Sequence, residues 1–357
     1  MTESVVNEAI GKESAFLRTL RSRVDAYFTS HNLSRFGGFW MFVKGLLLVA
    51  SFVGLYVAIL SDSFHGPGLL GMAILWACSA ALLVFNIPHD AVHGCLSRHR
   101  VVNRVMSYGF NLVGLNAYTW RIKHNVAHHG FTNVPDYDPD IEAAPILRFS
   151  PKDERHAYHR FQHLYAPVAY MLLGLVVVFV VDFRLLFDRA FAARHNLKHP
   201  AREYVILIAT KLFYLGYTLV VPLLVLSVPA WQIVVGWIVV HAVIGFLSAL
   251  VLLPSHCMEY AVFREHGTPL TPEGWALAQV ETTLDFAPTS PIANFFLGGF
   301  NTNVVHHIFT QISHVHYGPL TQILYETARE YGITVHSMSL TSAILSHFRF
   351  LKAMGTA

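Results

Sequence analysis

The sequence predicts an all-α integral membrane protein: four transmembrane helices in two hairpins, with the remaining helical segments forming a cytoplasmic cap. Three observations carry this. Of 357 residues, 54% are hydrophobic and 13% charged, and the mean hydropathy is +0.45. A soluble globular chain is about a quarter charged, so an ordinary water-soluble enzyme is excluded, and disorder is excluded from the other side. Four stretches reach the roughly 20 apolar residues needed to cross about 30 Å of hydrocarbon. The lysines and arginines, finally, are absent from the two turns that join these stretches in pairs.

Residues 1–40 mix Glu, Lys, Arg and Ser without the apolar core of a cleavable signal peptide, and read as a cytoplasmic N-terminal segment ahead of a single membrane domain, 41–357. The expected spans are 42–60, 69–87, 205–227 and 231–253. Ser61 to Gly68, with Pro67 and two glycines, closes the first pair; little more than Val228, Pro229 and Ala230 closes the second. Such short turns make each pair antiparallel. A fifth apolar run, 166–181, is followed by Asp182, Arg184, Asp188 and Arg189; it is short for a span and suits an interfacial or re-entrant helix. All 25 Lys and Arg residues lie before or at Lys44, between Arg98 and Lys211, or from Arg264 on. By the positive-inside rule both termini and the central segment are cytoplasmic, as in a bacterial inner membrane. That requires an even number of crossings, so 166–181 is expected not to span.

The charge balance of +3 and the lack of a basic block exclude nucleic acid as a partner. Cys78, Cys95 and Cys257 have no CxxC spacing and read as reduced thiols. The unusual feature is histidine: 22 residues, as many as Asp and Glu together.

Residues 86–93 run Asn-Ile-Pro-His-Asp-Ala-Val-His. Pro88 suits a helix start or kink, and an i, i+4 pair turns His89 and His93 to one face, about 6 Å apart at Cβ. The pair fits a metal site or, equally, a polar helix exit. His124, His128 and His129 follow as HxxxHH, with Asn133, Asp136, Asp138 and Asp140 beyond. On a helix His124 and His128 share a face, and His129 lies about 100° around. Crowded imidazoles repel when charged, so these are expected to be neutral and metal-bound, or to have lowered pKa values. The aspartates suit accepting the N–H of a ligating ring, or form an acidic solvated loop. Asn303, His306 and His307 form NxxHH beyond the fourth span, and His256 stands just past its end. Eight histidines are too many for one first-row metal with open positions and fit two. Imidazoles without paired thiolates disfavour structural zinc and permit iron.

With these groups in order, the sequence resembles the membrane fatty acid desaturases, the histidine-box di-iron family that also includes hydroxylases and related oxygenases. The resemblance covers roughly residues 40–352. It points most to bacterial acyl-CoA or acyl-lipid desaturases, through WRIKHNVAHHGFTN (120–133), DPDI (138–141), HRFQHLY (159–165) and HHIFTQISHVHYGPL (306–320). It implies a di-iron site carried by the cytoplasmic cap at the helix ends, O2 activation with two electrons, and removal of two hydrogens from an acyl chain. Carried over, His89, His93, His124, His128, His129, His256, His306 and His307 are the implied iron ligands and catalytic groups. Asn303 stands where Gln or His opens the third box; one methylene shorter than Gln, it binds iron directly, through a water, or not at all. Thr310 stands where Pro is common, and Asp285 follows Thr282 and Thr283 where Asn is frequent. These departures flank the site and leave open three outcomes: an internal alkene, an alcohol, or loss of the carboxyl group to give a terminal alkene.

The implied substrate is a fatty acyl chain, as free acid, CoA, carrier-protein or lipid ester, entering between helices from the membrane lipid. The sequence contains no His-Pro-Gly-Gly motif of a fused cytochrome b5 and no cysteine set for an iron–sulfur carrier. Electrons are therefore expected from an external donor such as ferredoxin, rubredoxin or cytochrome b5 with its reductase. The basic central segment suits docking an acidic carrier, and is equally what the orientation requires. The competing class is a membrane metal transporter, which predicts ligands along a path within the spans. His163, His314 and His316 lie in motif context, as candidate supports of the ligands or headgroup contacts. His31, His65, His156, His195, His199, His266, His336 and His347 read as surface residues. His241, inside the fourth span, is either functional or engaged in a bundle-facing hydrogen bond. Trp40, Trp231 and Trp237 read as interfacial or packing aromatics.

Overall fold

Each long apolar stretch of this chain is helical, because backbone N–H and C=O groups in hydrocarbon must be satisfied within the segment itself. The computed structural model describes residues 3–265 and 272–357. Two compact units assemble from interleaved segments: Phe39–Ala127 with Leu164–Leu250, and Met1–Gly38 with His128–His163 and Val251–Ala357.

The first unit is the apolar one. Among the described residues, five helices are long and apolar enough to cross a membrane: Gly38–Leu60, Pro67–Val92, Ala157–Phe187, Ala201–Val225 and Ala230–Ser255. Their outward faces are bare hydrocarbon, with Leu224 80% and Trp40 77% exposed. Contiguous apolar surface of this extent is stable only against lipid, so the protein is membrane-integrated. Trp76 donates its indole N–H to the carbonyl of Phe52 at 3.0 Å, tying the second helix to the first. Pro88, expected at a helix start or kink, lies inside the helix Pro67–Val92, which continues one turn beyond it. Gly109 permits this: a Cβ there would sit 2.7 Å from the Pro88 ring.

The fifth helix differs from the expectation. The run 166–181 is the middle of a helix of 31 residues, Ala157–Phe187, so its length is no reason to deny it a span. The helix extends because its polar flanks find partners. At one end Gln162 hydrogen-bonds to Arg148. At the other, buried Asp182 accepts the Thr119 hydroxyl at 2.5 Å and pairs with buried Lys211 at 2.5 Å. The ammonium of Lys211 also donates to the carbonyl of Gly114 at 2.5 Å. The helix meets Ala230–Leu252 backbone to backbone: a Cβ on Gly174 would lie 2.3 Å from the carbonyl oxygen of His241, and one on Gly245 2.6 Å from that of Tyr170. Small residues at a crossing are how membrane helices gain contact where burial from water contributes nothing. His241 itself is buried, with Nε2 2.9 Å from the Tyr214 hydroxyl and Nδ1 2.9 Å from the Trp237 carbonyl. It takes the bundle-facing hydrogen bond rather than a place in a histidine cluster.

The second unit is a helical cap with an amphipathic core. Phe16, Leu17, Leu20, Val24 and Phe28 of the helix Glu3–Ser30 pack on Val304, Val305, Leu320 and Leu324. A two-residue parallel pair, Asp285–Phe286 with Ser337–Met338, is the one strand contact among the described residues. Arg148 fastens the C-terminal helix Leu340–Thr356, donating to the carbonyls of Met354 at 2.6 Å and Ala357 at 3.2 Å.

Two histidines expected at the surface are buried here, His195 and His347. His266 lies outside the described residues. His31 and His65 are exposed; His156, His199 and His336 are half-buried. His347 shares the inward stripe of its helix with Ala343, Ser346, Phe350 and Leu351, and its Nδ1 faces the carbonyl of Cys257 at 2.6 Å. Burial pushes the imidazole down from 6.5 to about 4. A histidine kept neutral by folding contributes stability above its unfolded pKa, and that contribution is lost as pH falls from 6.5 through about 4. At about 1.36 kcal/mol per pH unit this is roughly 3 kcal/mol. The melting temperature in detergent is therefore expected to drop across that acid window, and less steeply in His347→Asn, which keeps a donor for the Cys257 carbonyl. Parallel curves for the two proteins would refute the assignment.

Candidate metal centre

In the apolar unit, His89 and the C-capping His93 come from the end of Pro67–Val92, and His124 from the next histidine motif. Asn116 starts the approach: its side chain caps the helix Ala117–Arg121 by accepting from the N–H groups of Tyr118 and Thr119. The chain then widens into a π-turn, Ile122–His128, in place of the α-helix expected for HxxxHH. Such i→i+5 turns recur at functional sites because they re-aim side chains. Asn125 donates to the carbonyl of Val92 at 2.8 Å, tying the second motif to the end of the first. His89, His93 and His124 are all buried, and one ring nitrogen of each lies within 4.8 Å of those of the other two. The Nε2 atoms of His89 and His124 are 3.0 Å apart.

The cap unit gathers the other five. The ligand atoms of His128, His256 and His307 lie within 4.8 Å of one another. His129 packs edge-on to His306 and tilted against His307, with ring centroids at 4.7 and 4.4 Å. All five are buried. Each of four rings has its Nδ1 held. That of His128 lies 3.0 and 3.1 Å from the two Asp138 oxygens, and that of His256 lies 3.2 Å from the carbonyl of Thr282. Nδ1 of His307 is 2.7 Å from Gln279 Oε1, and that of His306 is 3.3 Å from the Tyr317 hydroxyl. A ring that donates from Nδ1 is left with a lone pair on Nε2, the arrangement that suits metal ligation. Burial, then the neighbouring His128, pushes His256 down to about 3. Burial and the crowd of neighbouring histidines hold His307 well below its usual range. Both shifts favour the neutral ring, the form that coordinates a metal.

The supports come from unexpected places. Asp138, as expected of the acidic run, backs a histidine; it also accepts the backbone N–H of Asn133 and of Asp140, each at 2.9 Å. Asp136 instead pairs with Lys152 at the surface. Asn133, at φ 55°, donates to the carbonyl of His256 at 3.0 Å. Asp285, noted above as a departure, is fully buried and accepts the backbone N–H of Val304 at 2.9 Å and the Tyr325 hydroxyl at 2.8 Å. It thereby caps the helix Asn303–Ile308 that carries His306 and His307. Burial pushes its carboxyl up to about 7 against the pull of those donors. Gln279, Thr132, Tyr317 and the Thr282 carbonyl carry no motif signature. Their part is visible only once the chain has folded.

The residues fit a metal. Nε2 of His307 and Oδ1 of Asn303 are buried with no hydrogen-bond partner among the described residues, and the donor set is imidazole without thiolate. The free thiols Cys95 and Cys257 are buried and join no metal-binding group among the described residues, with burial raising both above their usual range. His163, His314 and His316 join no metal-binding group among the described residues. A transporter path would need ligands strung along the spans, whereas these gather at helix ends and in the cap.

A membrane-integrated helical protein with two buried, imidazole-rich clusters is of the histidine-ligated di-iron class of oxygen-using enzymes. A sequence model of the fatty acid desaturase family matches residues 66–339, and the chain belongs to that family. It is 31% identical to the sn-1 linoleoyl-lipid 6-desaturase of Arthrospira platensis, over 99% of this chain and 96% of that protein. It is 32% identical to the enzyme of the same name from Synechocystis sp., over 97% of each. With the acyl-lipid (8-3)-desaturase of Physcomitrium patens it shares 28% identity, over 99% of this chain and 74% of that protein. The protein is an oxidoreductase that desaturates fatty acyl chains with O2 at a histidine-ligated di-iron site.

Proposed function

We propose that the enzyme introduces a double bond, counted from the carboxyl end, into an acyl chain esterified in membrane lipid, with His89, His93, His124, His128, His129, His256, His306 and His307 as the iron ligands and Asn303 as a further, weaker contact. The observation that carries the ligand assignment is the burial of these imidazoles in two groups, four of them with Nδ1 held; Nε2 of His256 lies 2.8 Å from the side-chain amide nitrogen of Asn303. The names of the two end-to-end relatives support a lipid ester, linoleoyl at the sn-1 position, and the 6-position. When bound, the irons supply reduction of O2 by two electrons from an external donor. With two protons and the two hydrogens of the saturated carbon pair, one alkene and two waters result. The chain's own residues hold and orient the rings and, by burying them, exclude water.

Expression in a host rich in linoleoyl lipids, followed by analysis of sn-1 acyl chains, is expected to yield a triene with a new 6-double bond. Appearance of the product first in the acyl-CoA pool would overturn the lipid-ester reading. Hydroxylated or shortened products from iron-loaded enzyme would overturn desaturation.

For topology we propose four crossings, in two hairpins, with both termini and the cap on the cytoplasmic side of a bacterial inner membrane. The grouping of His128 with His256 and His307 supports this. Residues 128 and 256 must share a side, so an even number of crossings separates them. Ala201–Val225 and Ala230–Ser255 are joined by a tight turn and cross together, which leaves Ala157–Phe187 as the helix that does not carry the chain across. The basic stretch 189–202 then lies inside, as the positive-inside rule requires. A single cysteine placed at Lys198 is expected to react with an impermeant maleimide only in inverted vesicles. Labelling from the outside would sink this topology.

A further inference from the structure

The three cap imidazoles that group together are not backed alike. His128 has the carboxylate of Asp138 behind it, and His256 a main-chain carbonyl. His307 has the side-chain oxygen of Gln279, a buried residue of the helix Pro272–Glu281. The same amide oxygen lies 2.9 Å from the hydroxyl of Thr132. Thr132 stands four residues after His128, with its hydroxyl 2.8 Å from that residue's carbonyl and 3.4 Å from Nδ1 of His307. Gln279 thus links the third histidine motif to the turn that carries the second.

An amide oxygen can only accept, so Nδ1 of His307 must hold the proton and Nε2 must present its lone pair. The partnerless, buried Nε2 agrees with this. The opposite amide orientation would set an N–H against Nδ1 and drive the proton onto Nε2, where it would block coordination. A carboxylate behind a ring makes it a stronger donor than an amide does.

We propose that Gln279 is a positioning residue: held by Thr132, it fixes the tautomer and aim of His307, and its neutrality keeps His307 a weaker donor than the carboxylate-backed His128. This rests on the ligand assignment proposed above, and the experiment separates the two.

Wild type, His307→Ala, Gln279→Leu, Gln279→Glu and Thr132→Val would be purified in detergent with iron-57 bound. Melting curves would establish that each is folded. Release of iron to a ferrous chelator and the Mössbauer spectrum would then be recorded. Gln279→Leu, which has the shape but no acceptor, is expected to release iron about 10–100-fold faster than wild type. Gln279→Glu, which restores an acceptor, is expected to hold its iron at the wild-type rate, with altered Mössbauer parameters and a more negative midpoint potential. Thr132→Val is expected to fall between Leu and wild type, and keeps the inference testable should Gln279→Leu fold poorly. Wild-type release and spectra in both Gln279→Leu and Thr132→Val would overturn the inference, as would equal loss in the Leu and Glu variants. Retention of full iron by His307→Ala would overturn the ligand assignment itself, and the inference with it.

Discussion

His128→Ala is expected to abolish desaturation and to deplete iron from the group that His128 forms with His256 and His307, with little change in the secondary structure of the cap. His128 is buried, its ring lies 4.7 Å from that of His256 and 4.9 Å from that of His307, and a methyl group offers no donor in its place. Asp138→Asn gives the graded comparison. The amide can still orient toward Nδ1 but supplies no negative charge, so iron affinity or turnover is expected to fall by about 10–100-fold rather than vanish. Asp138→Leu should do worse. It strands two buried donors at once, the ring N–H of His128 and the backbone N–H of Asn133, at about 1–3 kcal/mol for each, and also removes the acceptor of the part-buried Asp140 N–H. Iron analysis of the three variants, with acyl products measured alongside, checks the order. Full iron and product formation in His128→Ala would show that this histidine is no ligand.

The second large effect is expected far from the histidines, at Lys211. Its ammonium and the Asp182 carboxylate are both nearly inaccessible, with side chains 6% and 4% exposed. Removing one partner of such a pair leaves a buried charge uncompensated and costs about 3–5 kcal/mol, a large part of the stability of an ordinary domain. Lys211→Met should therefore lower the detergent melting temperature sharply. Lys211→Met combined with Asp182→Asn should recover much of the loss, because the stranded charge goes with its partner. The cluster also holds the segment that leads to His124, through the Gly114 carbonyl and the Thr119 hydroxyl. Simple additivity of the two substitutions would mean that the pair is not coupled.

The spans were legible because lipid imposes a length and a polarity on any helix that crosses it, and both can be read residue by residue. The extent of Ala157–Phe187 was not. Its flanks look like helix ends, since Asp182 reads as solvated until Lys211, 29 residues on, comes beside it. His347 reads as a surface residue by type alone, yet its helical spacing from Ala343, Phe350 and Leu351 places it on a buried stripe. Asp138 was legible only as one of several acidic residues that could back a ring or lie in a solvated loop; the fold gives the first role to Asp138 and a surface ion pair to Asp136. Gln279 was not legible, because an unremarkable glutamine on an unremarkable helix acquires its role from an imidazole 28 residues away.

The sequence by itself determined that this is a membrane protein, that its histidines come in helically spaced groups, and that the groups disfavour a cysteine-rich structural zinc site and permit iron. These properties are local: each depends on residue type and on spacing of a few residues. Only the tertiary structure decided which ring nitrogens are held, which aspartate backs a histidine and which pairs with a lysine at the surface, and where charge is kept inside the apolar unit. Those depend on hydrogen bonds and burial between segments far apart in the chain, where a shift of 1 Å makes or breaks the contact.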